Sequence, residues 1–278
     1  MLSSSFMPVT ESFLVSAVGC AVGFEATQGQ ALDILDRYVF PSLPRETSDS
    51  AKADIHVRLL QSDDTSHLFV DEALIASADK PEYLLRQIID VLDTALIQRL
   101  KNLHAVHAGA VLLGDRALLF PGGSHSGKSS LVAALLRRGA VCFSDEYALI
   151  DAGGRVHTYP RILMLRDGGH DQTPVPPENC NAQVATAPAR IGWIFSLRYD
   201  SSCGWDVAPV PQSSALLSLL QNTPHVLADA PEMVNSFQRA VEGAVCYAGR
   251  RAEATEAVDH ILRLISNPSS GSESSSTN

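Results

Sequence analysis

The sequence predicts an α/β fold for most of the chain, preceded by a small α+β N-terminal part. Short apolar runs, typical of buried strands, alternate with amphipathic helical segments from residue 104 to about residue 266. Before residue 104, strand patterns are followed by a long amphipathic helix. The length of 278 residues is enough for a small domain plus a larger one.

Composition and charge indicate a folded protein and argue against two classes of partner. Hydrophobic residues make up 45% of the chain and charged residues 19%, as in ordinary globular domains. The net charge of −10 argues against binding to nucleic acid or to an anionic membrane, because both need a basic face. No apolar run approaches the roughly 20 residues that a membrane-spanning helix needs. The five cysteines form no C-x-x-C pair, so we expect neither disulfides nor zinc, and a cytoplasmic location.

The N-terminal part, residues 1–103, is predicted to contain strands and two helices. Loosely alternating residues around Gly19 predict a pair of strands, and the turn-like residues 62–66 predict a hairpin. Apolar residues at helical spacing predict helices over residues 30–40 and 82–103. We interpret this part as a candidate for substrate recognition.

The second part, residues 104–266, begins with two apolar runs joined by Gly114-Asp115, a strong hairpin signal. A helix is predicted over residues 128–138, with Gly139 at its C-terminal end. The segment AVCFS then predicts a buried strand.

Two later segments are predicted to be irregular. Residues 167–188 are rich in Pro and polar residues and exceed the usual length of a connection, so we interpret them as a lid or substrate loop. The tail, residues 267–278, is nearly all Ser, Gly, Glu and Asn, which predicts disorder.

Between the predicted hairpin and the following helix lies the complete pattern G-x-x-x-x-G-K-[ST]. Its glycines let the backbone wrap phosphate oxygens, and the N-terminus of the helix points at them. Lys128 is predicted to reach the β- and γ-phosphates of ATP, and Ser129 to bind Mg²⁺. The alternative is a glycine-rich turn without a ligand. The predicted nucleotide-binding residues are Gly122, Gly123, Ser124, His125, Ser126, Gly127, Lys128, Ser129 and Ser130.

Asp145 and Glu146 stand at the end of the predicted strand AVCFS. One carboxylate at such a position can hold a metal ion while its neighbour deprotonates an incoming hydroxyl. The alternative is a solvated pair in a turn. His107 lies on the strand before the loop, where an isolated histidine is more often a core residue than a catalytic one.

Arg161 and Arg166 bound another predicted strand. They are candidates for stabilising charge on a transferring phosphoryl group, and the alternative is that both simply face solvent. The sequence contains no N-K-x-D motif and no L-S-G-G-Q element. These absences disfavour a GTPase or a transporter ATPase.

Residues 104–150 contain, in order, V-H-A-G-A-V-L-L, a hairpin, G-G-S-H-S-G-K-S-S-L and G-A-V-C-F-S-D-E-Y-A-L-I. This combination resembles the HPr serine kinase family, and in particular its shorter members, which include lasso-peptide serine kinases. The resemblance implies a P-loop kinase domain of the HPr kinase/PEP carboxykinase type, with a mixed, largely antiparallel sheet. It also implies that Asp145 is the general base, that Glu146 helps to bind the metal, and that His107 lies near Asp145. The family commonly has a second aspartate where this chain has Glu146.

The motifs together predict an ATP-dependent kinase that phosphorylates a serine-type hydroxyl of a peptide, protein or small molecule, with ATP and Mg²⁺ as cofactors. One alternative is an ATP-binding regulatory switch that hydrolyses ATP slowly, and another is a non-catalytic relative that binds peptides. The Asp145-Glu146 pair favours the kinase, because a switch needs no base for an alcohol. A homo-oligomer is left open.

Overall fold

The computed structural model describes residues 6–9, 11–27, 33–35, 39, 43–46, 53–123, 126–159, 161–166, 172–224 and 230–266. Contacts divide the chain into two compact units. Unit 1 comprises Met1–Lys101 and Pro160–Ile162, and unit 2 comprises Asn102–Tyr159 and Leu163–Asn278. The recognition role assigned to the N-terminal part stays a prediction.

Unit 1 contains a six-stranded sheet. Its strands are β1 (Glu11–Ala17), β2 (Cys20–Ala26), β3 (Arg45–Glu46), β4 (Ile55–Ser62), β5 (Thr65–Val70) and β6 (Ala73–Ala78). They lie in the order β3-β1-β2-β4-β5-β6, and only the β2–β4 pair is parallel. The predicted strand pair around Gly19 and the predicted hairpin at residues 62–66 are both confirmed.

The long helix predicted for unit 1 is shorter than expected. It consists of a 3-10 turn at Pro81–Leu84 and the helix α1 (Leu85–Gln98). The predicted extension to Leu103 is wrong, because Asn102 has a φ of 62° and Leu103 begins a strand that pairs with Asp151. Sheet pairing therefore overrides the helical pattern at these residues. The helix predicted over residues 30–40 falls largely outside the described residues.

Unit 2 contains a mixed eight-stranded sheet, in agreement with the predicted α/β class. Its strands are β7 (Leu103–Leu113), β8 (Arg116–Pro121), β9 (Val141–Ser144), β10 (Tyr147–Asp151), β11 (Arg155–His157), β14 (Ala189–Tyr199), β15 (Trp205–Pro209) and β16 (Val245–Arg251). The order is β11-β10-β7-β8-β14-β16-β15, and β9 also pairs with β7. Only β8–β14 and β14–β16 are parallel pairs. Because β7 pairs with β8, β9 and β10, it joins the strands that carry the candidate site.

Helices cover both faces of this sheet. The helices α2 (Lys128–Leu136) and α5 (Ala254–Ser266) contribute to one buried apolar cluster. The helices α3 (Gln212–Gln221) and α4 (Ala230–Val241) contribute to another. Leu118 and Leu119 of β8 fall in different clusters, because successive side chains of a strand point to opposite faces. Unit 2 is therefore a three-layer arrangement with the sheet in the middle.

The segment predicted as a long irregular loop contains regular structure. Strand β13 (Gln172–Val175) pairs with β12 (Leu163–Arg166), and Pro177–Cys180 form a 3-10 turn. The prediction of an irregular loop is wrong for these residues, and the lid role stays a prediction. Residues 167–171 and the tail at 267–278 lie outside the described residues.

All five cysteines are free thiols in the structure. Burial raises the pKa of the Cys246 thiol to about 11, and it raises the pKa of Cys142 further. Such buried thiols are poor nucleophiles. Within the described part of the chain, no helix has both the length and the apolar character needed to cross a membrane.

Candidate functional site

The glycine-rich motif connects the end of β8 to the start of α2. Gly127, the last residue before the helix, has a φ of 82°, a left-handed conformation that favours glycine. The N–H of Gly122 donates a hydrogen bond of 3.1 Å to the carbonyl of His107, which ties the start of the loop to β7. Ser124 and His125 lie outside the described residues.

Lys128 folds back over the motif. Its Nζ donates a hydrogen bond of 2.9 Å to the carbonyl of Gly123, and the residue is only 8% exposed. Burial lowers the pKa of Lys128, while the negative charges of Glu146 and Asp145 oppose this shift. The two carboxylates are therefore close enough to act electrostatically on the ammonium group. Ser129 and Ser130 follow in the first turn of α2.

Asp145 and Glu146 lie in the tight connection between β9 and β10. The hydroxyl of Ser144 accepts hydrogen bonds from the N–H groups of Glu146 and Tyr147, at 3.2 and 3.1 Å, and so fixes the turn. The Asp145 residue is fully buried, and its Oδ2 accepts a hydrogen bond of 3.3 Å from the N–H of Met164. The side chain of Glu146 is 27% exposed. The adjacent acids thus have different surroundings.

His107 contacts the second acid of this pair. Its Nε2 lies 2.7 Å from Oε1 of Glu146, within hydrogen-bond distance. The histidine pairs with Tyr147 across β7 and β10, and the centroids of the two rings are 5.6 Å apart. The resemblance implied that His107 lies near Asp145, whereas the described contact is with Glu146. His107 therefore has a carboxylate partner, unlike the isolated core histidine that the sequence offered as the alternative.

Of the two arginines proposed from the sequence to stabilise charge, the structure describes the side chain of Arg161 but not that of Arg166. Arg161 belongs to unit 1, where its Nη1 lies 3.3 Å from Oδ2 of Asp93. Because Arg161 is only 5% exposed, the interpretation that it simply faces solvent is wrong. The side chain of Arg166 lies outside the described residues.

Ser129 and Glu146 are the residues for which the sequence predicts Mg²⁺ binding. Within the described part of the chain, no group of three or more His, Cys, Asp or Glu side chains could hold a metal ion. Mg²⁺ usually takes one or two carboxylates together with phosphate oxygens and water. A serine hydroxyl and a carboxylate are oxygen donors of this kind, so the assignment of Ser129 and Glu146 as ligands stays a prediction.

Sequence reasoning missed Arg251, the last residue of β16. Although arginine is rarely buried, Arg251 is only 2% exposed. Its Nη2 donates a hydrogen bond of 2.9 Å to the carbonyl of Gly127, from a position 124 residues away in the sequence. No local pattern signals such a contact.

Gly109 on β7 allows α2 to approach the sheet closely. A Cβ atom at this position would lie 2.7 Å from Cγ2 of Val132 and 3.5 Å from Cβ of Lys128. The glycine in V-H-A-G therefore helps to set the depth at which Lys128 sits in the fold.

We expect the substitution Gly109→Ala to lower the free energy of unfolding by about 1–3 kcal/mol, the usual cost of an extra methyl group in a tight core. Gly204→Ala is the matched control, because a Cβ there would meet no atom within 4 Å. The control should change stability by no more than about 0.5 kcal/mol. Urea unfolding of both variants measures the difference, and equal stabilities would contradict the close approach.

Comparisons with known proteins give matches among solved structures. No protein-family model matches the chain, and no curated protein matches it. The structure of the HPr(Ser) kinase/phosphatase from Coxiella burnetii is similar to this chain at 16% sequence identity, covering 58% of this chain and 98% of that one. The TM-score of 0.28 is too low to support a conclusion about fold or function.

Proposed function

We propose that this protein is an ATP-dependent kinase that transfers the γ-phosphoryl group of ATP to a serine-type hydroxyl of a peptide, protein or small molecule. The proposal depends on one arrangement. Lys128 lies at the start of a helix after a glycine-rich loop, within electrostatic reach of Asp145 and Glu146. Phosphoryl transfer needs mainly positioning and charge stabilisation, and these side chains supply a cation for the phosphates and carboxylates for the metal and the hydroxyl.

The loop and the helix form the nucleotide side of the proposed site. Backbone N–H groups of residues 122–127 and of the first turn of α2 bind the phosphates. Lys128 bonds to the carbonyl of Gly123, which keeps its ammonium group over the loop, where it pairs with the β- and γ-phosphates. Ser129 and Glu146 would hold Mg²⁺, which would supply positive charge to offset the charge of the phosphates.

Asp145 is the proposed general base. The acceptor oxygen attacks the γ-phosphorus, the bond from that phosphorus to the β–γ bridging oxygen breaks, and ADP leaves while Asp145 takes the hydroxyl proton. The hydrogen bond from the N–H of Met164 fixes the orientation of the Asp145 carboxylate. Because Asp145 is fully buried, its interactions with charge are weakly screened by water.

A second assignment exchanges the roles of the two acids. Glu146 is the more accessible carboxylate, and its distance of 2.7 Å from Nε2 of His107 gives it a partner that can orient it. In that case Asp145 holds the metal. The variants Asp145→Asn and Glu146→Gln separate the two assignments, because the base is the residue whose amide abolishes transfer without weakening the binding of ATP with Mg²⁺.

Mass spectrometry tests the proposed function. Purified protein is incubated with ATP, Mg²⁺ and a panel of serine peptides, serine-bearing proteins and small alcohols, including any peptide encoded beside this gene. We expect one acceptor to gain the mass of a single phosphate, in an amount equal to the ADP formed. ADP formation at an unchanged rate with every acceptor, and with no phosphorylated product, would contradict the kinase and support a slow ATPase.

A further inference from the structure

We propose that Arg251 is a positioning residue that fixes the phosphate-binding loop through the carbonyl of Gly127 and thereby sets the affinity for ATP. The inference rests on the proposed function, because it adds a residue to the same nucleotide site. Arg251 is not expected to contact the reacting atoms.

The guanidinium of Arg251 donates hydrogen bonds to two backbone carbonyls. Besides the bond from Nη2 to Gly127, its Nη1 donates a hydrogen bond of 2.7 Å to the carbonyl of Ala252. Its Nε is buried and has no hydrogen-bond partner in the described part of the chain. Burying a charged group with an unsatisfied donor costs free energy, and at 2% exposure the two hydrogen bonds to carbonyls offset part of that cost.

The carbonyl of Gly127 controls the direction of the next N–H group. A trans peptide unit is planar, so its C=O and N–H point in opposite directions. The same carbonyl also accepts the N–H of Leu131, at 3.2 Å, in the first turn of α2. Holding it from two sides fixes the N–H of Lys128 on the side away from Arg251. N–H groups at a helix N-terminus are the ones that bind phosphate.

Gly127 and Arg251 are also complementary in shape. A Cβ atom on residue 127 would lie 2.2 Å from Nη2 of Arg251. The guanidinium therefore fills the space that any other side chain at position 127 would need. A side chain at position 127 would have to displace this guanidinium, and the positive φ of the residue also favours glycine.

The sheet holds the arginine rigidly in this place. Arg251 on β16 is in register with Tyr199 on β14, and Cζ of the arginine lies 5.3 Å from the centroid of the tyrosine ring. The Tyr199 hydroxyl in turn donates a hydrogen bond of 2.8 Å to Oε1 of Glu253. A guanidinium fixed by strand pairing and by an aromatic ring can hold the loop in its binding conformation before ATP arrives.

Calorimetric titration of the full chain with ATP and Mg²⁺ tests the inference. We expect Arg251→Ala to raise the Kd for ATP by about tenfold to a hundredfold, as for the loss of a charge-assisted hydrogen bond. Arg251→Lys should show a smaller increase, because an ammonium keeps the charge but not the planar fork. Arg250→Ala is the matched control, since Arg250 is half exposed and pairs with Asp200 and Asp206.

Two further measurements separate positioning from general stability. In the first, guanidinium ion at low millimolar concentration should restore part of the ATP affinity of Arg251→Ala but none of the ATP affinity of Lys128→Ala. In the second, thermal unfolding shows which variants are folded. If Arg251→Ala does not fold, the Kd of Arg251→Lys for ATP is used in its place.

If the wild type binds ATP and a folded Arg251 variant has a Kd for ATP within about twofold of the wild-type value, the inference is wrong. A broken charge-assisted hydrogen bond costs more than that. If the wild type binds no ATP, the proposed function itself fails.

Discussion

The variant Asp145→Asn is expected to lose about 10²–10⁴-fold in kcat for phosphoryl transfer, the usual contribution of a general base. The amide has nearly the shape of the carboxylate, and its oxygen can still accept the hydrogen bond from Met164, so the fold should survive. An amide cannot take a proton from the acceptor hydroxyl at neutral pH. Initial rates at saturating ATP and acceptor measure the effect, and thermal unfolding checks the fold.

Asp151→Asn is a matched control for this prediction. Asp151 is also a largely buried aspartate at the end of a neighbouring strand, β10, but its carboxylate accepts hydrogen bonds from Arg155 in the hairpin that follows. Asp151→Asn should affect stability more than kcat. Equal losses of kcat in the two variants would mean that Asp145→Asn lowers activity by disturbing the fold rather than by removing a base. Full activity of Asp145→Asn would exclude Asp145 as the base and favour Glu146.

Lys128→Ala is expected to lower kcat/KM for ATP by about 10²–10³-fold, a typical cost of removing one charge-stabilising donor. The ammonium is largely buried, so its attraction to phosphate oxygens is weakly screened by water. Burial lowers the pKa of Lys128, which means that the fold disfavours its charged form. Removing this charge should therefore not unfold the protein, and the loss should appear in the kinetics rather than in the melting temperature.

Lys101→Ala serves as the control, because Lys101 is an exposed lysine outside the glycine-rich motif. Steady-state kinetics with varied ATP should leave its kcat/KM unchanged. If Lys128→Ala still transferred the phosphoryl group at the wild-type rate, the assignment of the nucleotide site to this motif would be wrong.

Features set by neighbouring residues were predictable from the sequence. The spacing of Gly122, Gly127 and Lys128 predicts a loop that leads into a helix, and α2 begins at Lys128. Gly114 has a φ of 62° in the hairpin between β7 and β8, and Gly139 has a φ of 90° just after α2. In each case the backbone conformation depends on a glycine that is visible in the sequence.

Features that depend on distant pairing were not predictable from local sequence patterns. The contact of His107 with Glu146 spans 39 residues, and it exists because β7 pairs with β10. Strand β15 was missed because it is a short edge strand ending in Pro209, paired only with β16. Arg251 carries no local signal, since only the folded sheet brings it to the glycine-rich loop. The partners of these residues are chosen by the tertiary structure rather than by local propensity.

The short segment Pro160–Ile162 determines when unit 1 can be completed during synthesis of the chain. The segment belongs to unit 1, where Arg161 forms an ion pair with Asp93. In the sequence, however, the segment comes after the glycine-rich motif and after Asp145 and Glu146. On the ribosome, unit 1 therefore cannot be complete until residue 162 has emerged, although domains usually fold one after another during synthesis. A chain cut after Lys101 would deprive the Asp93 carboxylate of this guanidinium, so residues 1–101 alone do not contain all of unit 1.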